Sequence, residues 1–137
     1  MDVQYPYTHE LKVRFRDVDM MGHVNNSVYL TYLEEARTGF WEFLFREKKE
    51  FWKINFILAS ISIDYRAPAF YRDQIEICIR LKGLGTKSFS FNYLIMKKDS
   101  GDLVAEAESV MVMYEYEKNE TYPIPQGMRD IFLSKGQ

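Results

Sequence analysis

One segment with helical periodicity stands in a chain whose other ordered stretches alternate with period two, and that contrast limits the folds open to it. Between about 26 and 46, apolar side chains recur every three or four residues: Tyr29, Leu33, Ala36, Phe40 and Phe43/Leu44. Such spacing predicts a helix roughly 30 Å long. Tyr32 and Trp41 widen its apolar stripe, which suits a helix that is wrapped rather than laid on a surface. Glu34 and Arg37 on its polar side are spaced to pair.

Alternation precedes this helix once and follows it four times. In 10–16, Leu11, Val13 and Phe15 share one face, and the same parity carries Asp17 and Asp19 inward. After the helix come Ile57, Ala59, Ile61, Ile63 and Tyr65; then Ile75, Ile77, Ile79 and Leu81; then Phe89, Phe91, Tyr93 and Ile95. A last strand at about 103–116 is apolar on both faces, as expected of a central or interface strand. Turns fall at Ala67-Pro68, Gly83-Leu84-Gly85 and Asp99-Ser100-Gly101-Asp102. The expected fold class is α+β: a curved antiparallel sheet of about five strands around one long central helix, with residues 1–137 as one domain.

Composition narrows the function. Of 137 residues, 47% are apolar and 16% aromatic, which argues for a real core, and a net charge of −2 gives no bulk attraction to nucleic acid. One cysteine, Cys78, rules out an internal disulfide, and with only His9 and His23 beside it the chain is short of soft ligands, so no metal is expected. No leader pattern and no long apolar run is present, so a cytoplasmic setting away from membranes is the expectation.

The chemistry concentrates in 14–37. Asn25 and Asn26 mark a helix start, where unpaired backbone N–H groups favour negative charge of the kind acyl transfer develops on oxygen. Two carboxylates, Asp17 and Asp19, precede it, and Gly22 permits an unusual bend between. Asp19 is the favoured catalytic carboxylate, with Asp17 as its rival; composition does not separate them. His23 suits a proton shuttle, or equally a ring packed beside the cap. No Ser or Cys nucleophile has a recognisable His and acid partner.

These residues resemble a known family. Arg14-Phe15-Arg16-Asp17-Val18-Asp19, Gly22-His23-Val24-Asn25-Asn26, Tyr29, Tyr32, Glu35-Ala36-Arg37, Asp64-Tyr65-Arg66-Ala67-Pro68 with Asp73, Gly85-Thr86-Lys87-Ser88-Phe89 and Tyr122-Pro123-Ile124-Pro125 are similar, in order, to hotdog-fold acyl-CoA thioesterases of the 4-hydroxybenzoyl-CoA thioesterase type. The resemblance implies a hotdog fold and hydrolysis of an acyl-CoA to free acid and CoA, without cofactor or metal. Asp19 maps onto the family's catalytic carboxylate, acting as general base or nucleophile. Gly22, His23, Val24, Asn25 and Asn26 map onto the oxyanion and substrate-binding element, with the polarising N–H near Asn26. Lys82, Lys87 and Ser88 are candidates for holding CoA phosphates, and Phe51, Trp52 and Phe56 for lining an acyl channel. The family also implies a homodimer or homotetramer with active sites at the dimer interface. The His-Val-Asn-Asn element is similar to plant acyl-carrier-protein thioesterases as well, so a carrier-linked substrate and a non-catalytic thioester-binding protein stand as alternatives.

Overall fold

In the computed structural model, which describes residues 4–137, the helical segment becomes α1 (Val28–Leu44) and the alternating runs become strands. These are β1 (Tyr7–Lys12), β2 (Phe56–Tyr65), β3 (Gln74–Leu84), β4 (Ser88–Lys97) and β5 (Leu103–Glu115). All pair antiparallel in the order β1-β3-β4-β5-β2, and a short β6 (Glu120–Thr121) adds to β5. The curved sheet wraps α1, and a second helix, α2 (Gln126–Lys135), closes one end.

The central register explains the core. Ile77 faces Ile95, Ile79 faces Tyr93 and Leu81 faces Phe91 across β3 and β4, and all six are buried. On β5 the corresponding positions are small: Ala105, Ala107 and Ser109 stand opposite Ile95, Tyr93 and Phe91. Small residues beside large rings leave room for α1, whose Ala36 and Phe40 are fully buried. Phe40 meets Phe91 edge-to-face at 5.1 Å, an arrangement that the ring quadrupole favours. His9 ties β1 to α1 by bridging the Tyr7 hydroxyl (3.3 Å) and the Glu35 carboxylate (2.8 Å).

Three expectations need correction. The first strand ends at Lys12, not near 16, because the Arg14 N–H donates to the Asp17 carboxylate (3.0 Å) and closes a tight 3₁₀ turn over Phe15–Asp17. A three-residue turn breaks two-residue parity, so Phe15 is 75% exposed while Asp17 is only 5% exposed, and Asp19 lies on the surface rather than inward. In β2, a bulge between Leu58 and Ser60 flips the faces: Phe56 packs 4.8 Å from the Trp41 ring, whereas beyond the bulge Ile61 and Ile63 carry the half-buried positions. Arg37 does not pair with Glu34; its guanidinium donates to the Tyr93 hydroxyl (3.2 Å), itself 2.6 Å from Ser109 Oγ. An element beyond the expected strands and helix is α2, whose Met128 and Phe132 are fully buried.

Candidate active site

The segment between β1 and α1 folds as a miniature hairpin. Val18 bridges Val24, the Asp19 N–H donates to His23 O (3.0 Å), and the Gly22 N–H donates to Asp19 O (3.0 Å). Gly22 adopts φ +88°, a conformation glycine takes without penalty, and Met20 and Met21 form the tip. The hairpin is fastened to the β2–β3 connection, since the Val24 N–H donates to Ala69 O (2.8 Å) and His23 bridges Phe70.

At the mouth of α1, Asn25 performs the capping. Its side-chain oxygen accepts from the Ser27 N–H and from the Ser27 hydroxyl, both at 3.0 Å, and its carbonyl accepts the Val28 N–H. Its own N–H is already committed to Asp17 O (2.9 Å). Asn25 therefore orders the helix start, and its backbone N–H is not free for an oxyanion. Within 22–26, only the His23 and Asn26 amides lack an acceptor among the described residues. A cavity of about 270 Å³ lies beside them, walled by His23, Val24, Asn26, Tyr29, Tyr65 and the Arg66–Pro68 corner. The Tyr65 hydroxyl donates to Asn26 O (3.1 Å), which holds the Asn26 peptide in place. Burial pushes the Tyr29 phenol up to about 12, so it remains a neutral wall at physiological pH. Tyr65 and the Arg66–Pro68 corner join the site beyond the residues expected from sequence, and the Asp64–Pro68 motif is the sequence signal that marks them.

The two carboxylates have opposite surroundings. Asp17 is sealed: its Oδ2 accepts from the Tyr32 hydroxyl (2.7 Å), the Arg14 N–H (3.0 Å) and the Arg14 guanidinium (3.5 Å). Burial raises its carboxyl pKa, but those three donors outweigh burial and leave it below the ordinary value. A carboxylate so occupied is a poor base and a poor nucleophile. Asp19 is open: Oδ1 accepts the Met21 N–H (2.9 Å), and Oδ2 has no donor among the described residues.

A second hollow, about 400 Å³, runs between α1 and β2, with Trp41, Trp52, Phe56 and Leu58 on its apolar walls and Arg37 at one side. Of the three residues expected to line an acyl channel, Trp52 and Phe56 border this hollow. Phe51 does not; it packs inward against Phe45 at 5.4 Å. Lys82 lies in β3 and reaches Glu108, opposite Ser62, whereas Lys87 and Ser88 sit at the start of β4, whose register sets Ser88 opposite Val112 and hence beside Ile57. That is the end of β2 away from Tyr65, about 25 Å along the strand from the Asn26 cavity. Lys82 pairs with Glu108 (2.6 Å) and Lys87 donates to Thr121 (3.1 Å). Within one chain these three do not meet the helix mouth.

Comparison with known proteins settles the family. The family model for the thioesterase-like superfamily matches residues 13–132. The chain belongs to the thioesterase-like superfamily. It is 31% identical over 125 residues to the long-chain acyl-CoA thioesterase FadM of Escherichia coli, covering 88% of this chain and 92% of that protein. It superposes on the crystal structure of a Thermus thermophilus thioesterase complexed with coenzyme A and Zn, with TM-score 0.82 and 30% identity, over 96% of this chain and 95% of that one. A chloroplastic acyl-acyl carrier protein thioesterase of Arabidopsis thaliana, ATL3, is 27% identical over 126 residues, covering 90% of this chain and 66% of that protein. The fold is the hotdog arrangement, and this thioesterase is a thioester hydrolase. Among the described residues, no helix is long and apolar enough to cross a membrane.

Proposed function

We propose that this thioesterase hydrolyses acyl-CoA at the mouth of α1, with Asp19 as the working carboxylate and the Asn26 N–H as the oxyanion donor. The contrast between the two carries the reading: Asp17 is buried and its Oδ2 holds three donors, whereas Asp19 is exposed and accepts a single amide. The thioester carbonyl oxygen takes the Asn26 amide, and Asp19 either removes a proton from attacking water or attacks the carbonyl carbon itself. In the first course the C–S bond breaks directly to free acid and the thiolate leaves as protonated CoA; in the second the same bond breaks to leave the acyl group as an anhydride on Asp19, which water then hydrolyses to free acid and the restored carboxylate. One oxyanion donor typically contributes about 3 kcal/mol to such a transition state, and general-base assistance about 10²–10⁴-fold.

The exposed edge of β2 supports assembly of two copies. Ten residues of unpaired strand edge are a standing invitation to pair. Antiparallel pairing with the same edge of a second copy sets the Phe56 end of one strand alongside the Tyr65 end of the other. The Lys82–Ser88 turn of one protomer then approaches the partner's helix mouth, where CoA phosphates need cations. Phe56, Trp41 and Trp52 supply an apolar groove for the acyl chain.

Thiol release from CoA thioesters of increasing chain length, measured with wild type and with Asp19→Asn, tests this. Rapid release by wild type and loss of kcat in the variant are expected. Tight acyl-CoA binding with no thiol released by wild type would instead mark a thioester-binding protein.

A further inference from the structure

The end of α1 away from the helix mouth carries a recess that thioester hydrolysis does not require. Its volume is about 450 Å³, within the range usual for small-ligand sites, and Tyr7, Glu42, Phe43, Arg46, Lys49 and Trp52 line it. Phe43 stands 17 positions after Asn26, about 25 Å along the helix axis. The recess is held in shape. The Trp41 and Trp52 indoles donate to Phe51 O and Phe45 O, both at 2.9 Å, and tie the 3₁₀ turn Lys49–Lys53 to the end of α1. At the floor, any side chain at Gly39 would run into the Tyr7 hydroxyl, so glycine lets β1 and α1 close there.

The lining defines the ligand. The Arg46 guanidinium lies 5.9 Å from the Phe43 ring centre, and the Lys49 ammonium 5.3 Å from that of Trp52. Cations suit the negative end of a helix, which accounts for Lys135, since it donates to Phe43 O (3.0 Å). Arg46 and Lys49 are not so explained, and neither has a carboxylate partner among the described residues, although Glu42 lines the same recess. Two unpaired cations call for an anion such as phosphate. Trp52 is 41% exposed and offers a flat apolar face to a planar base. Glu42 opposes a bare anion but accepts hydrogen bonds from the hydroxyls of a ribose. An anionic bilayer is disfavoured, because Glu42, Glu47 and Glu50 are exposed among the same cations.

We propose that this recess binds a nucleoside phosphate, which restrains Trp52 and so controls admission of the acyl chain. The base lies against Trp52, the ribose hydroxyls donate to Glu42, and the phosphates take Arg46 and Lys49. Trp52 is also a wall of the hollow between α1 and β2, so the ligand and the acyl chain press on one side chain. The control rests on the acyl-groove reading above; the binding does not. Two sources share the chemistry, a free nucleotide and the adenosine bisphosphate of a second CoA molecule.

Equilibrium dialysis of the full chain against ATP, adenosine 3′,5′-bisphosphate and inorganic pyrophosphate tests the site, with thermal unfolding as a folding control. One nucleotide per chain should bind, and Arg46→Gln/Lys49→Gln should raise its Kd about tenfold or more. Tighter binding of ATP identifies a free nucleotide as the source, and tighter binding of the bisphosphate identifies CoA. Saturating nucleotide should raise the KM for tetradecanoyl-CoA about fivefold or more in wild type and not in the double variant. No binding, or binding indifferent to Arg46 and Lys49, overturns the proposal. So does pyrophosphate binding as tightly as either nucleotide, which would mark a plain anion site. Nucleotide binding with the KM unmoved overturns the control through Trp52. If wild type releases no thiol at all, the hydrolase reading fails by itself, and the dialysis still decides whether the recess holds a nucleotide.

Discussion

The two ends of α1 are built for different purposes. At its C-terminal end, Trp41 and Phe45 join Phe56, Phe89 and Phe132 in one aromatic cluster with ring separations of 4.8 to 5.9 Å. At its N-terminal end the packing thins to Tyr29 and Tyr32, and polar groups take over: a capping Asn25, an unsatisfied Asn26 amide and an exposed Asp19. One end holds the helix against the sheet, and the other is left open to substrate. Rigidity at the far end lets the open end keep unpaired donors without collapsing onto them. Substitutions at the two ends should therefore separate activity from stability.

The largest separation is expected at Asp19. Asp19→Asn should lower kcat by about 10²–10⁴-fold while leaving the urea unfolding midpoint where it is, because an exposed side chain holding one amide contributes little to stability. A matching fall in midpoint would show that residue 19 acts through the loop's fold. Phe132→Ala at the other end should do the reverse. Deleting a fully buried ring from the cluster is expected to cost about 3–5 kcal/mol in denaturant unfolding, with kcat per folded molecule retained. Loss of kcat ahead of unfolding would mean the aromatic end is coupled to the site.

Asp17→Asn tests the boundary between the two ends. The buried Tyr32 hydroxyl and the Arg14 amide lose their charged acceptor, at an expected cost of about 1–3 kcal/mol. Because the carboxyl is held below its ordinary value in the fold, its contribution is present above the unfolded value of about 3.9 and is lost as pH falls through the lower folded value. Wild-type and variant midpoints, measured from about pH 6 down to about pH 2, should converge at the acid end. Parallel curves would assign the stabilisation to packing of the Asp17 side chain instead.

The same division decides what the sequence could reveal. Parity read β3 and β4 correctly because both are interior strands with one face against α1, so Ile75 to Leu81 and Phe89 to Ile95 had no other way to bury. It failed where local hydrogen bonding overrode alternation. The Arg14–Asp17 turn pointed Phe15 and Asp19 outward while Asp17 stayed buried, and the bulge at Ala59 put the residues before it in β2 on the other parity. The loop carrying the site was legible from Asp, Gly and Asn spacing, but not which carboxylate would be sealed, since that depends on Tyr32 reaching back from α1 across 15 positions. For α2 the signal was present and unused: Met128, Ile131 and Phe132 repeat at helical spacing between Pro125 and Gly136.

The smallest effect is expected at Asn25, and it is the most discriminating for how the helix mouth works. The Asn25 side chain satisfies the Ser27 amide, so Asn25→Ala should cost about 1 kcal/mol, the usual loss for a removed cap. Its backbone bonds to Asp17 and Val28 survive the substitution and keep the neighbouring Asn26 peptide roughly in place. If the Asn26 amide is the oxyanion donor, kcat should therefore fall only modestly, by about tenfold or less, with KM little changed. Asn25→Asp retains an acceptor but adds a negative charge next to the developing oxyanion. It should recover the stability and lower kcat further, because the charge that suits the helix dipole opposes the charge formed on the thioester oxygen. Recovery of both together would move the oxyanion away from this end of α1.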